Sequence, residues 1–312
     1  DDDIADGVPF LESADDYATW NTVVRRAYKQ LIRDARRGRR TLLDKYGTLN
    51  EAEFFAKTFE KLNGRPARLL REDFCGTHAV CCEWVKTHED NVAYGVDLDP
   101  EPLAWGEDQL QTQLTDAQRK RITLAEADVR TGNGDAPAAF SGGADVLAAQ
   151  NFSFFLFKTR EALRDYFEHA RANLADGGIM VMDMMGGSEC YVEDHTDVRT
   201  IDVEDKDQAK RLGYKKFKYL WEQARINPIT ADALFHIHFK FKDGSRLDKA
   251  FTYDWRFWTL PETCELLREA GFKDVQVYWE IEDEDGDGSG EFEPATEGAA
   301  DPSWIAYIVA QK

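Results

Sequence analysis

Between residues 67 and 185 short apolar runs alternate with amphipathic ones, and no other feature constrains the fold as tightly. "ARLLRED" (67–73), "VAYGVDL" (92–98), "ITLAEADV" (122–129), "ADVLAAQ" (144–150) and "GGIMVMDMM" (177–185) have the length and apolar content of strands. Between them "THAVCCEWVKTH" (77–88), "EPLAWGEDQLQTQL" (101–114) and "TREALRDYFEHARANLA" (159–175) read as helices. Strands and helices in this alternation build βαβ units, which predicts an α/β fold with a mostly parallel sheet covered on both faces.

Residues 187–254 break the rhythm. "KYLWEQARI", "ALFHIHFKF" and "SRLDKAFTYDW" alternate apolar with polar and are separated by "NPITAD" and "KDG", which predicts an antiparallel meander inserted into the frame. The frame resumes with helix "LPETCELLREAGF" (260–272), closed by Gly271, then strands "DVQVYWEIE" (274–282) and "SWIAYIVAQ" (303–311). Residues 15–62 read as helices. The expected organisation is a helical cap (1–64), a core (65–186), an inserted antiparallel lid (187–258) and a completion of the core sheet (259–312).

A formal charge of −20 disfavours nucleic acid as partner, because phosphate contacts supply most of that affinity. The charge is uneven: "RRAYKQLIRDARRGRR" (25–40) is strongly basic, while "EDEDGDGSGEFE" (282–293) carries seven carboxylates. Five cysteines without a framework spacing predict reduced thiols and a cytoplasmic protein. No apolar run reaches membrane-spanning length and no signal-peptide pattern is present, so no membrane partner is expected. The oligomeric state is not legible.

In an open α/β sheet, ligands sit beyond the carboxyl ends of the strands, where strand order reverses. The turn after the first strand, "EDFCGTH" (72–78), has one glycine, Gly76, where a pyrophosphate loop needs several. A smaller carboxylate-and-ammonium head group asks for less room, with Asp73 or Glu72 to pair the ammonium. Asp97 follows at the end of the second strand, where an acid chelates a ribose diol.

With Asp128 added, this ordered set resembles the class I S-adenosylmethionine-dependent methyltransferases from about residue 67 to the end. Their first turn commonly reads as an acid followed by G-C-G-T-G, and Cys75, Gly76 and Thr77 keep its centre. Phe74 stands in place of the first glycine and His78 of the last. The resemblance implies a Rossmann-like, doubly wound, seven-stranded sheet with an antiparallel last strand, and S-adenosylmethionine as cofactor. It assigns the ribose to Asp97 in "GVDLDP" and the adenine amine to Asp128 in "EADVR", with Leu98 and Val129 walling the ring. It places "LAAQNFSFFLF" after the fourth strand, beside the reactive methyl, with Asn151 nearest. The inserted meander is similar to the lid sheets of small-molecule N-methyltransferases.

Methyl transfer from a sulfonium is an in-line displacement that needs positioning and exclusion of water more than a strong acid or a metal. Asn151, Tyr253 and Asp254 are the candidates for positioning or base work, and no metal is expected. Phe152, Phe154, Phe155, Phe157, Trp255 and Trp258 are mainly core, with an aromatic wall for a cation as the functional alternative. His236 and His238 alternate on a strand and face one side, and "DEDGDGSGE" (283–291) imitates a calcium loop without its closing glutamate. Strand 274–282 should deliver the acidic stretch to the sheet edge that carries the cofactor turn, which favours a cationic or zwitterionic, amine-bearing small substrate. The alternatives are an RNA or protein methyltransferase docking through 25–40, an aminopropyl transferase, and a non-catalytic binding module.

Overall fold

The computed structural model describes residues 48–131, 136–202, 215–282 and 288–312; the basic run 25–40 and the acids 283–287 lie outside them. The core strands form where the apolar runs place them: β1 (Leu69–Asp73), β2 (Val92–Asp97), β3 (Ile122–Glu126), β4 (Ala144–Ala149) and β5 (Leu174–Gly186). The helices of this frame are α1 (Thr48–Asn63), α2 (Ala79–Thr87), α3 (Pro100–Gln109), the short α4 (Asp116–Arg119) and α5 (Arg160–Ala172). Pro100 at the start of α3 lacks an N–H that would be orphaned anyway, and Asp99 caps the same turn by accepting from Glu101 N at 3.0 Å. After the insertion come α6 (Leu260–Glu269), β10 (Asp274–Glu282), β11 (Gly288–Ala295) and β12 (Trp304–Gln311). Thr259 and Glu262 start α6 with a reciprocal capping box, and Gly271, at φ 96°, ends it.

The core sheet has strand order β11-β10-β12-β5-β4-β1-β2-β3. β1 pairs in parallel with β2 and with β4, β2 with β3, and β4 with β5. β12 is antiparallel to both β5 and β10, so β10 runs parallel to β5 and Glu282 ends at the carboxyl edge. The chain steps outward from β1 to β3 and returns on the other side at β4. Strand order therefore reverses between β1 and β4.

Eight strands stand where seven are expected. The acidic stretch is not a loop throughout: its end forms β11, antiparallel to β10 at the sheet edge. Glycine, glutamate and proline hide this strand from a propensity reading, yet Pro294 is tolerated because, among the described residues, β11 is an edge strand paired on one side. Phe292 anchors it, with its ring 4.8 Å from Tyr307 and 6.5 Å from Phe54 of α1.

Successive strand residues face opposite sides of a sheet. Glu72 turns to α2, where its carboxylate accepts from Cys81 N, while Asp73 turns to α5, where it meets Tyr166. The two helices thus cover opposite faces, as a doubly wound sheet requires. On the α2 face Phe55 and Phe59 of α1 are fully buried with Trp84, Val85, Val146 and Val181. Burial of each such ring contributes about 2–3 kcal/mol.

The insertion forms a second unit, Val192–Asn227 with Ala233–Asp254, distinct from the core unit. It is a four-stranded sheet in the order β6 (His195–Asp202), β7 (Lys216–Ile226), β8 (Asp232–Lys240), β9 (Arg246–Arg256). Three of these match the meander; β6, rich in charge and threonine, is additional. Alternation along β7 buries Phe217, Tyr219 and Trp221, and Tyr219 packs edge-on against its cross-strand partner Phe239 at 5.8 Å.

Candidate cofactor site at the sheet switch point

The turns after β1 and β4 leave the carboxyl edge side by side, since Asp73 pairs with Ala149 in register. The first turn holds three left-handed residues, Phe74 (φ 55°), Gly76 (φ 50°) and His78 (φ 46°). Phe74 and His78 thus hold left-handed backbone without being glycine, at about 1–2 kcal/mol each. Ring packing compensates. Phe74 lies 5.5 Å from Tyr166 and 6.1 Å from Phe157 of the second turn. The buried His78 imidazole fills the space over Gly106 of α3, where an added Cβ would come within 2.3 Å of the ring.

Asp97 ties this turn to β2. Its Oδ2 accepts from Gly76 N at 2.6 Å and its Oδ1 from Asp99 N at 2.9 Å, so each oxygen keeps a lone pair for a hydroxyl donor. Gly95, one turn of the pleat earlier, leaves room for the Cys75 thiol, which burial pushes well up from its ordinary pKa. All five cysteines are free and buried. Thr77 is half-buried, and Leu98, beside Asp97, is 69 % exposed. A Cβ built on Gly76 meets no described atom within 4 Å, so the turn is open there.

The two acids before the turn have different tasks. Asp73 is fully committed inside the protein: Arg71 Nε donates to its Oδ1 at 2.7 Å and Tyr166 Oη to its Oδ2 at 3.1 Å. Burial pushes the Asp73 carboxyl up, and the guanidinium and hydroxyl draw it back. Arg71 also donates to the Val129 carbonyl at 3.1 Å, joining the end of β1 to the segment after β3. Glu72 is buried at the start of α2, where Cys81 N donates to it at 3.0 Å. Asp128 is paired with Arg130 through two side-chain bonds, of 3.0 and 2.7 Å, which hold its carboxyl below the usual range.

Asn151 is exposed at the second turn, at φ 62°, followed by Phe152 at φ 56°. Phe152, Phe154, Phe155, Trp255 and Trp258 are buried, so they are core rather than an open aromatic wall. Tyr253 and Asp254 belong to the inserted unit, where Tyr253 packs 6.0 Å from Trp221 and Asp254 is exposed. Burial raises Tyr253 to about 12, so at neutral pH it is a hydrogen-bond donor rather than a base. In the same unit His238 bridges Glu222 (2.7 Å) and Asp248 (3.1 Å), and His236 meets Thr252 at 2.9 Å. Among the described residues no three His, Cys, Asp or Glu side chains gather as a metal site, and no helix is long and apolar enough to cross a membrane.

Three groups that matter here, Arg71, Tyr166 and Asp183, were not singled out by sequence pattern. Asp183 lies in β5, and its carboxylate accepts from Asn151 N at 3.0 Å and Phe152 N at 2.9 Å. An acid inside the apolar run "GIMVMDMM" is the signal that marks it.

Solved structures with this architecture carry one theme. An S-adenosylmethionine-dependent methyltransferase from Clostridium acetobutylicum superposes with a TM-score of 0.63 at 14% identity, over 94% of this chain and 98% of that one. The chain has the fold of the class I S-adenosylmethionine-dependent methyltransferases. CalS10 of Micromonospora echinaspora, an amino pentose methyltransferase solved with S-adenosylmethionine bound, matches with a TM-score of 0.58 at 15% identity, over 90% and 96%. The sugar N-methyltransferase KedS8 of Streptoalloteichus gives 0.56 at 17% identity, over 85% and 88%. The comparison with curated proteins finds no match. Residues 1–74 match the glucose-regulated metallo-peptidase M90 family. That stretch is under a quarter of the chain and contains no histidine, so no H-E-x-x-H zinc site can be built from it.

Proposed function

We propose that this protein binds S-adenosylmethionine and transfers its methyl group to a small, amine-bearing molecule. The observation that carries the reading is the bond from Gly76 N to Asp97, which joins a one-glycine turn and a diol-ready carboxylate at the strand-order switch point. Asp97 would hold the ribose, Leu98 and Val129 the adenine ring, and the turn Cys75–Gly76–Thr77 the methionine head group. Asp128 would meet the adenine amine from its ion pair with Arg130. Glu72 or Asp73, the two acids before the turn, would pair the ammonium. The bound cofactor supplies an electrophilic methyl, so the protein orients a nucleophile in line and excludes water. Asn151 stands nearest the reacting centre in this reading.

The amine comes from two supports. CalS10 is an amino pentose methyltransferase and KedS8 a sugar N-methyltransferase. The acids of residues 282–293 follow β10 in sequence, and a stretch of carboxylates attracts cations. The test is incubation with S-adenosylmethionine labelled at its methyl group and a panel of small amines that includes amino sugars. Label is expected in a low-molecular-mass amine. Label in RNA or polypeptide instead would overturn the substrate class.

A further inference from the structure

The cofactor reading gives Asp183 no task. Asp183 is fully buried among apolar residues of β5, where an unpaired carboxylate costs several kcal/mol. Its bonds to Asn151 N and Phe152 N go to two consecutive left-handed residues, whose N–H groups converge as they do in anion-binding nests. Neither residue is glycine, so the bend is strained and persists only where its surroundings hold it. Gln150 Nε2 bonds the Val181 carbonyl at 3.0 Å and Ser153 Oγ bonds the Gln150 carbonyl at 2.6 Å, which fixes the flanks. Asp183 takes the two strained residues themselves.

We propose that Asp183 is a positioning residue: its carboxylate clamps the Asn151–Phe152 bend and thereby sets where the Asn151 side chain stands beside the transferable methyl. The proposal rests on the methyltransferase reading, which gives Asn151 that place. Burial pushes Asp183 up to about 7, opposed by the two N–H donors. The ionised carboxylate accepts both bonds, whereas a neutral carboxyl turns one oxygen into a donor, so the clamp loosens as pH falls through this range. Across the β5–β12 ladder the facing titratable group is Tyr307, itself raised by burial and by Glu51, Asp183 and Glu280. Asp73 and Met182 share the α5 face, so Asp183 faces the side covered by α1 and α2, where Glu51 of α1 is raised by burial and by Glu72 to about 8.

Sinefungin, an analogue with an ammonium-bearing carbon in place of the methylated sulfonium, probes the Asn151 position without a known substrate. In Asp183→Asn the preference for sinefungin over S-adenosylhomocysteine is expected to fall about tenfold, with S-adenosylhomocysteine affinity within twofold of wild type. In the wild type the same preference should fall between pH 8 and pH 6, and the backbone amide resonances of residues 151 and 152 should titrate near pH 7. A preference unchanged in the variant, or pH-independent in the wild type, would overturn the clamp while leaving the methyltransferase reading intact. Wild-type protein that binds neither ligand would overturn that reading instead. If Asp183→Asn does not fold, the wild-type titration decides.

Discussion

Asp73→Ala lowers the folding free energy by about 3–5 kcal/mol, the cost of leaving a buried guanidinium without its carboxylate. Arg71 is 2 % exposed, and the pair meets at 2.7 Å with the Asp73 side chain fully enclosed. Two of its other contacts, the Val129 carbonyl and the face of Tyr94 at 5.8 Å, carry no formal charge. Removing both charges, as in Arg71→Met with Asp73→Leu, should recover most of the loss, because well-packed apolar side chains often replace a buried pair at little cost. Tyr166→Phe removes one neutral donor and should cost only about 1 kcal/mol. Urea denaturation of the four proteins measures all of this. A single-variant loss under about 1 kcal/mol would mean that the pair is hydrated.

Glu51→Gln should have the opposite sign. Glu51 on α1 is 2 % exposed, and its Oε2 accepts no hydrogen bond among the described residues. Burial, and the Glu72 carboxylate, raise it from 4.5 to about 8. Between those two values the unfolded chain has released this proton and the folded chain keeps it. The folded state therefore binds more protons, and stability falls as pH rises through the window, levelling off above about 8. Glutamine removes that slope. The variant should gain on the order of 3–4 kcal/mol over wild type at pH 8 and almost nothing at pH 4.5. A gain independent of pH, or a loss at pH 8, would show that Glu51 ionises freely.

The parallel core was legible because its strands are apolar and its helices amphipathic, each at its own period. β6 and β11 were not, because an edge strand or a charged one is held by its neighbour's ladder rather than by its own residues. The first turn was readable as a residue pattern, but Phe74 and His78 read as departures. The structure shows that their backbone keeps the left-handed geometry, held by contacts with Tyr166, Phe157 and Gly106 that lie 28 to 92 residues away in sequence. Arg71 and Asp183 were not singled out, although each is a charge inside a strand run. Val129, Asn151 and Tyr166, which pair with Arg71, Asp183 and Asp73 in turn, lie on other elements, and no local pattern links them.

The most direct measurement is a calorimetric titration of the whole protein with S-adenosylhomocysteine, alongside NAD and an Asp97→Ala variant. The account predicts one-site binding of S-adenosylhomocysteine, no displacement by NAD, and a loss of about 10–100-fold in the variant, as expected when charge-assisted hydrogen bonds to a ribose are removed. Folded wild-type protein that binds NAD in preference, or an Asp97→Ala variant that binds S-adenosylhomocysteine as tightly as wild type, would contradict it.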